Sequence, residues 1–313
     1  MEGFIMKKFL WSESGIVEKE NWQKDCWINI EIPSNEEINY LIEELGVPES
    51  FISDIKDVDE RPRIEEEDGW NLIILRVPYR NKGNDIPFIT VPIGFIMKEH
   101  YFITVCYYKT DMLSDFVRYA DRKQLNIQGS WDLLFRLFLS SSVWYLKYLK
   151  RLNNQSRQVE QELERSIQNE ELQKLLKIEK SLVYFMTSMR ANANLLVKLK
   201  NIRSQRQYFD EDLVEDVDIE LHQALDQARI YSDILSGTMD AYASVISNNL
   251  NVIMKRMTSI SLILMIPTLI ASLYGMNVPN GLEERGWGFL VVCISSAFFA
   301  LMMFWVLKKK KWL

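Results

Sequence analysis

From Met257 to Leu282 the chain carries no charged residue, and a second uncharged run, Trp287 to Leu307, follows almost at once. Each is long enough for an α-helix to cross a hydrocarbon core, which takes about 20 apolar residues. Within lipid a backbone has no water to bond to, so such segments satisfy their own N–H and C=O groups as helices. The chain is expected to end in a membrane hairpin, with the residues before it folded outside the bilayer.

The first run is not uniformly apolar. Asn251, Met254, Thr258, Ser261, Met265, Thr268 and Ser272 recur at alternating steps of three and four, which draws one narrow stripe on a helix. Leu262, Ile263, Ile266, Ile270 and Leu273 fall on the other side. A stripe of hydroxyls, thioethers and an amide suits either a close helix contact, where Ser and Thr are common, or a water-filled path. Two helices cannot enclose such a path, so the second alternative requires several copies of the chain around an axis. The spacing does not set their number.

Flanking charge gives an orientation. Lys255 and Arg256 precede the first span and Lys308, Lys309, Lys310 and Lys311 follow the second, whereas the connection holds Glu283, Glu284 and Arg285. Positive residues stay inside, so both termini are expected in the cytoplasm, with the membrane the inner membrane of a bacterium or another simple plasma membrane. The net charge is -6 despite the four terminal lysines. That argues against a nucleic-acid partner and suits either attraction of cations or plain solubility. Cys26, Cys106 and Cys293 form no CxxC pair, so neither a disulfide framework nor a zinc cluster is expected. There is no long apolar stretch at the N-terminus to serve as a signal peptide. No P-loop, HExxH or glycine-rich dinucleotide pattern occurs, so neither an enzyme nor an organic cofactor is expected.

The first 125 residues read as α/β. Cys26 to Ile32 alternates like a half-buried strand. Ser34-Asn35-Glu36-Glu37 is a capping-box pattern opening a helix to about Leu45, and Pro48 suits the start of another over Glu49 to Lys56. Trp70 to Val77, Ile86 to Ile96 (broken by Pro92 and Gly94) and Tyr101 to Tyr108 read as strands, and a helix follows over Asp111 to Asp121. Then the texture changes: no proline lies between Pro92 and Pro267, and Gly237 is the one glycine between Gly129 and Gly275. Such a segment can hold very long helices, expected over Trp131 to Ser166, Glu170 to Arg203 and Asp210 through the membrane to Tyr274. The fold class is thus an α+β membrane protein: an N-terminal α/β domain, long stalk helices and a terminal two-helix hairpin.

The first span closes on Tyr274-Gly275-Met276-Asn277. At the outer end of the first helix of a terminal hairpin, this YGMN run resembles the hallmark of the CorA family of magnesium and divalent-cation channels. The ending Lys308 to Leu313, KKKKWL, is similar to that family's basic tail. The resemblance implies a homopentamer that passes magnesium, with Gly275, Met276 and Asn277 as the selectivity filter. Magnesium prefers octahedral oxygen and gives up its water reluctantly, so a ring of Asn277 amides can hold the hydrated ion by hydrogen bonds and release it. Met276 is expected to pack and shape the loop. An ungapped match back from GMN places Asn251, Met254, Met257, Met265 and Ser272 on pore-facing positions. Thr268 joins them by spacing, and the methionines make a constriction able to gate by dewetting. Ser272 stands where the family often has glycine, which alters the width or hydration of the path. Glu283 and Glu284 read either as an outer acidic rim that concentrates cations or as solvated loop charges. The four lysines are first a topology signal and headgroup anchor, and by resemblance a basic ring.

The same match places Asp216 on the family's intracellular metal-sensing aspartate, and Asp54 in the segment that supplies its partner from the neighbouring subunit. Carboxylates facing each other across a contact repel when empty and are bridged by a divalent ion, so internal magnesium would hold the pore shut. Ser53 replaces a carboxylate found beside Asp54 in some members, which argues against a second ion. The expected division is 1–125 cytoplasmic domain, 126–256 long helices and stalk, 257–274 first transmembrane helix, 275–286 outer loop, 287–307 second transmembrane helix and 308–313 basic tail. The expected partners are further copies of the chain, the lipid bilayer and divalent cations. Two alternatives stand: a zinc, cobalt or nickel transporter of the same superfamily, and a membrane-anchored scaffold or sensor that transports nothing.

Overall fold

The computed structural model describes residues 7–12, 15–19, 26–83, 86–165, 169–202, 210–276, 281 and 286–312. Asn277, Glu283 and Glu284 lie outside the described residues. The chain divides into two compact units, Met1–Gly237 and Thr238–Leu313.

The first unit is built on a seven-stranded sheet in the order β2-β1-β3-β7-β6-β5-β4. Its strands are β1 (Lys7–Ser12), β2 (Gly15–Lys19), β3 (Cys26–Glu31), β4 (Arg63–Glu67), β5 (Trp70–Arg80), β6 (Phe88–Lys98) and β7 (Tyr101–Cys106). Only β3 and β7 pair in parallel; every other neighbour is antiparallel. Side chains alternate across a sheet. One face sends Ile28, Ile30, Leu72, Ile74, Ile96, Ile103 and Val105 into a core with Leu41, Val47, Phe51, Ile52 and Ile55 from the 35–56 segment. On the other face Trp27 meets Phe116 and Phe95 meets Phe102, and at the start of β6 Phe88 meets Tyr148 and Phe185. Burial on both faces explains why the central strands read as nearly unbroken apolar runs.

Within 35–56, α1 (Asn35–Asn39) opens on the expected capping box. Ser34 Oγ accepts from Glu37 N, and Glu37 Oε2 accepts from Ser34 N at 2.9 Å, a cap worth about 1 kcal/mol. The helix then widens into a π turn, Tyr40–Glu44, before α2 (Glu49–Lys56).

β6 runs unbroken through Pro92 and Gly94, contrary to expectation. Pro92 sits opposite Arg76 in a pair whose ladder bonds do not join the two, because Arg76 N donates to Asn192 Oδ1 and Arg76 O accepts from Asn192 and Tyr145. The proline nitrogen therefore faces the side where β7 would lie, and the β6–β7 pairing ends at Gly94. A missing N–H there costs no ladder bond. Gly94 is needed for space: a Cβ would overlap the Ile55 side chain of α2.

The helices α3 (Asp111–Lys123), α4 (Ser130–Arg165), α5 (Asn169–Lys200) and α6 (Glu211–Tyr274) follow. Thr110 Oγ1 accepts from Leu113 N to cap α3. Ser181, Ser188 and Asn192 of α5 bond respectively to Phe88 N, Thr90 Oγ1 and the Arg76 backbone, which staples the helix to β5 and β6. The first part of α6 buries Leu213, Val217, Leu221, Ala224, Ala228 and Leu235, and Leu235 lies beside Leu152, Ile178 and Leu182 of α4 and α5. At 64 residues α6 has a contour of about 95 Å, from 1.5 Å per residue.

The second unit holds the rest of α6 and α7 (Gly288–Lys309). Both helices are long and apolar enough to cross a membrane.

Candidate ion pathway and regulatory surface

In the second unit each helix shows one covered face. On α6 the covered positions are Ser259, Leu262, Ile263, Ile266, Pro267, Ile270 and Tyr274; on α7 they are Gly288, Val292, Ser295, Ser296, Ala300, Met303 and Leu307. Both sets recur at three and four, so each lies on a single side, and α7 contributes mainly small residues, as close membrane helix contacts do. Ser259 is fully buried and donates to Trp312 O at 3.5 Å. That polar anchor was not read from the sequence; its signal is a serine in register with Leu262, Ile266 and Ile270. Leu273, expected on the same side, is exposed.

The stripe Asn251, Met254, Thr258, Ser261, Met265, Thr268 and Ser272 lies on the opposite side of α6, and every one of these residues is exposed in the single chain, as is Met257. α7 therefore does not account for the stripe. Ser261 Oγ donates to Met257 O at 3.0 Å and Thr268 Oγ1 to Leu264 O at 2.9 Å. Back-bonding of this kind occupies the hydroxyl proton and leaves the oxygen as an acceptor, which is the polarity a cation or its hydration water requires.

At the end of α6, Gly275 N continues the helix to Ala271 O at 2.9 Å. A Cβ at Gly275 would stand 3.3 Å from that carbonyl oxygen, so glycine answers to crowding here. Met276 is exposed. Asn277, which carries the filter expectation, and Glu283 and Glu284, which carry the rim, fall outside the described residues.

The basic end does not trail away. Lys311 adopts the left-handed conformation, and Trp312 N closes back to Leu307 O at 3.0 Å, a C-terminal cap. Lys308 Nζ lies 6.0 Å from the Phe304 ring centre and Lys309 Nζ 5.4 Å from that of Trp305, within cation–π range. Lys310 and Lys311 are exposed.

In the first unit, Asp216 on α6 is exposed, between the buried Leu213 and Val217. No ion pair or hydrogen bond holds it among the described residues. Asp54, in the last turn of α2, has a partner within its own chain: its Oδ2 takes a hydrogen bond from Arg63 Nη2 at 2.6 Å. No described contact links Asp54 to Asp216, and no group of three or more metal-ligating side chains forms among the described residues. A divalent ion shared by these two carboxylates would thus need a second chain and would meet Arg63 at one of them. Arg63 was overlooked in the sequence, although acids at positions 54, 60 and 65 surround it. Cys26 and Cys106 are buried, Cys293 is exposed, and none of the three forms a disulfide among the described residues.

Residues 22–309 match the model of the CorA-like Mg2+ transporter protein family. Two relatives are similar over nearly the full length. The cobalt/magnesium transport protein CorA of Methanocaldococcus jannaschii is 27% identical over 297 residues, covering 92% of this chain and 91% of the relative. The protein of the same name from Thermotoga maritima is 25% identical over 305 residues, covering 92% and 83%. The complete structure of the CorA magnesium transporter from Methanocaldococcus jannaschii superposes on all of both chains with a TM-score of 0.82 and 25% identity. With two apolar helices at its C-terminal end and a match that spans both units, the chain is a membrane protein and belongs to the CorA-like Mg2+ transporter family.

Proposed function

We propose that this protein carries divalent cations, magnesium foremost, into the cell as a homopentameric channel. Copies of α6 surround the axis and turn the stripe from Asn251 to Ser272 towards it, while α7 packs outside. The observation that carries this reading is the opposition of faces on α6: Ser259, Leu262, Ile266 and Ile270 are covered, Ser259 by a bond to Trp312 just past α7, and the polar stripe is bare. Bare hydroxyls and an amide gain nothing from acyl chains, and related copies supply the partner that the single chain lacks. Met254, Met257 and Met265 form the apolar constriction, and Gly275, Met276 and Asn277 form the outer filter for the hydrated ion. Glu283 and Glu284 draw cations to the mouth, and Lys308 to Lys311 lie at the cytoplasmic surface of a bacterial inner membrane. Internal magnesium between Asp216 of one subunit and Asp54 of the next favours the closed state, which the exposure of Asp216 supports.

The test is flux into liposomes holding the purified protein. Magnesium and cobalt are expected to enter saturably, with hexammine cobalt, a mimic of the hydrated ion, as a competitor. Uptake of zinc alone would replace this reading by the zinc transporter, and absence of any ion flux by the scaffold.

A further inference from the structure

Arg63 occupies the place where a cation is expected. It opens the edge strand β4 and reaches back to Asp54 on α2 (Nη2–Oδ2 2.6 Å), sideways to Glu65 on the same face of β4 (Nη2–Oε2 2.7 Å), and to Glu60 in the turn between them. The setting is held from beneath. Arg76 Nη1 donates to the Val58 and Glu60 carbonyls at 2.7 and 2.9 Å, which fixes the turn, and Ile55 seats α2 against the bare backbone of Gly94. Burial alone would lower the Arg63 pKa, but the hydrogen bond to Glu65 and the charges of Glu60, Asp54 and Glu65 carry it upward, so the guanidinium is a permanent charge. The Arg63 and Asp54 side chains are 32% and 30% exposed, open enough for an ion or a neighbouring subunit to reach.

We propose that Arg63 sets the divalent-ion concentration at which this channel closes, by holding Asp54 as a built-in counter-cation with which an arriving ion has to compete. The proposal rests on the reading of Asp54 and Asp216 as the regulatory pair. Asp54 Oδ2 is committed to Arg63, and Oδ1 alone has no partner among the described residues. A fixed positive charge one hydrogen bond from the ligating group repels a dication, and salt screens part of that repulsion at so open a site. Three carboxylates around one guanidinium leave an excess of negative charge, so the ion is weakened and not excluded.

The experiment uses the full chain in lipid nanodiscs, with magnesium titrated at constant ionic strength. Protection from chymotrypsin and the melting temperature are the readouts. Arg63→Gln is expected to lower the half-protecting magnesium concentration by about three- to tenfold, and Arg63→Lys, which keeps the charge, to stay within about twofold of wild type. An unchanged value for Arg63→Gln overturns the proposal. Asp54→Asn separates the two levels. If that variant titrates like wild type, the regulatory pair itself is wrong; if it needs more magnesium while Arg63→Gln is unchanged, the pair stands and the role of Arg63 falls. Should Arg63→Gln fail to fold, Glu65→Gln tests the same balance from the other side. Removing that acid raises the half-protecting concentration, and an unchanged value contradicts the proposal.

Discussion

Gly94 has no part in the ion path, yet the position of Asp54 depends on it. Ile55 of α2 fills the space a β-carbon would take on β6, and Asp54 is the next residue back along that helix. Gly94→Ala is expected to destabilise the first unit by about 1–3 kcal/mol, the usual cost of overpacking, measured as a fall in melting temperature of the purified protein. It is also expected to raise the magnesium needed for protection, because α2 must lift. At this scale the sequence was only partly readable. Gly94 and Pro92 looked like breaks in a strand, because a one-dimensional pattern does not show that Ile55 crosses one residue and that β7 stops short of the other. Asp54 and Asp216 were singled out by resemblance, but the guanidinium beside Asp54 was not, since Asp54 and Arg63 lie nine positions apart and meet only where the α2–β4 turn folds back.

Between elements, α5 is held to β6 by Ser181 and Ser188 and to β5 by one amide. Asn192 is fully buried and satisfies both backbone groups of Arg76. Asn192→Ala leaves the Arg76 N–H without its partner and the Arg76 carbonyl with the Tyr145 hydroxyl alone, and is expected to cost about 1–3 kcal/mol, read from chemical or thermal unfolding. In the hairpin, Ala300 lies on the covered face of α7 and Ala297 on the exposed face. Ala300→Phe is expected to pry α7 from α6 and lower the melting temperature in detergent, while Ala297→Phe has little effect; equal effects would place the contact elsewhere. The long helices were legible, because the absence of Pro and Gly over such a length leaves few alternatives, and their ends fell within a few residues of expectation. β1, β2 and β4 were not legible. β4, RIEEE, is an edge strand with its side chains half exposed or exposed, so it has no apolar rhythm; it is a strand because β5 offers it a ladder.

For the whole molecule, the account requires that the polar face of α6 be covered by other copies. Native mass measurement in a mild detergent is expected to give five times the chain mass, and a monomer that still conducts would contradict it. The central claim is that the carboxamide of Asn277 at the mouth of such an assembly selects the hydrated ion. Its most direct test is magnesium uptake by liposomes containing either wild type or Asn277→Ala, each first shown to be assembled to the same size. The account predicts that wild type takes up magnesium and that Asn277→Ala, equally assembled, loses most of that uptake; undiminished uptake by Asn277→Ala would contradict it.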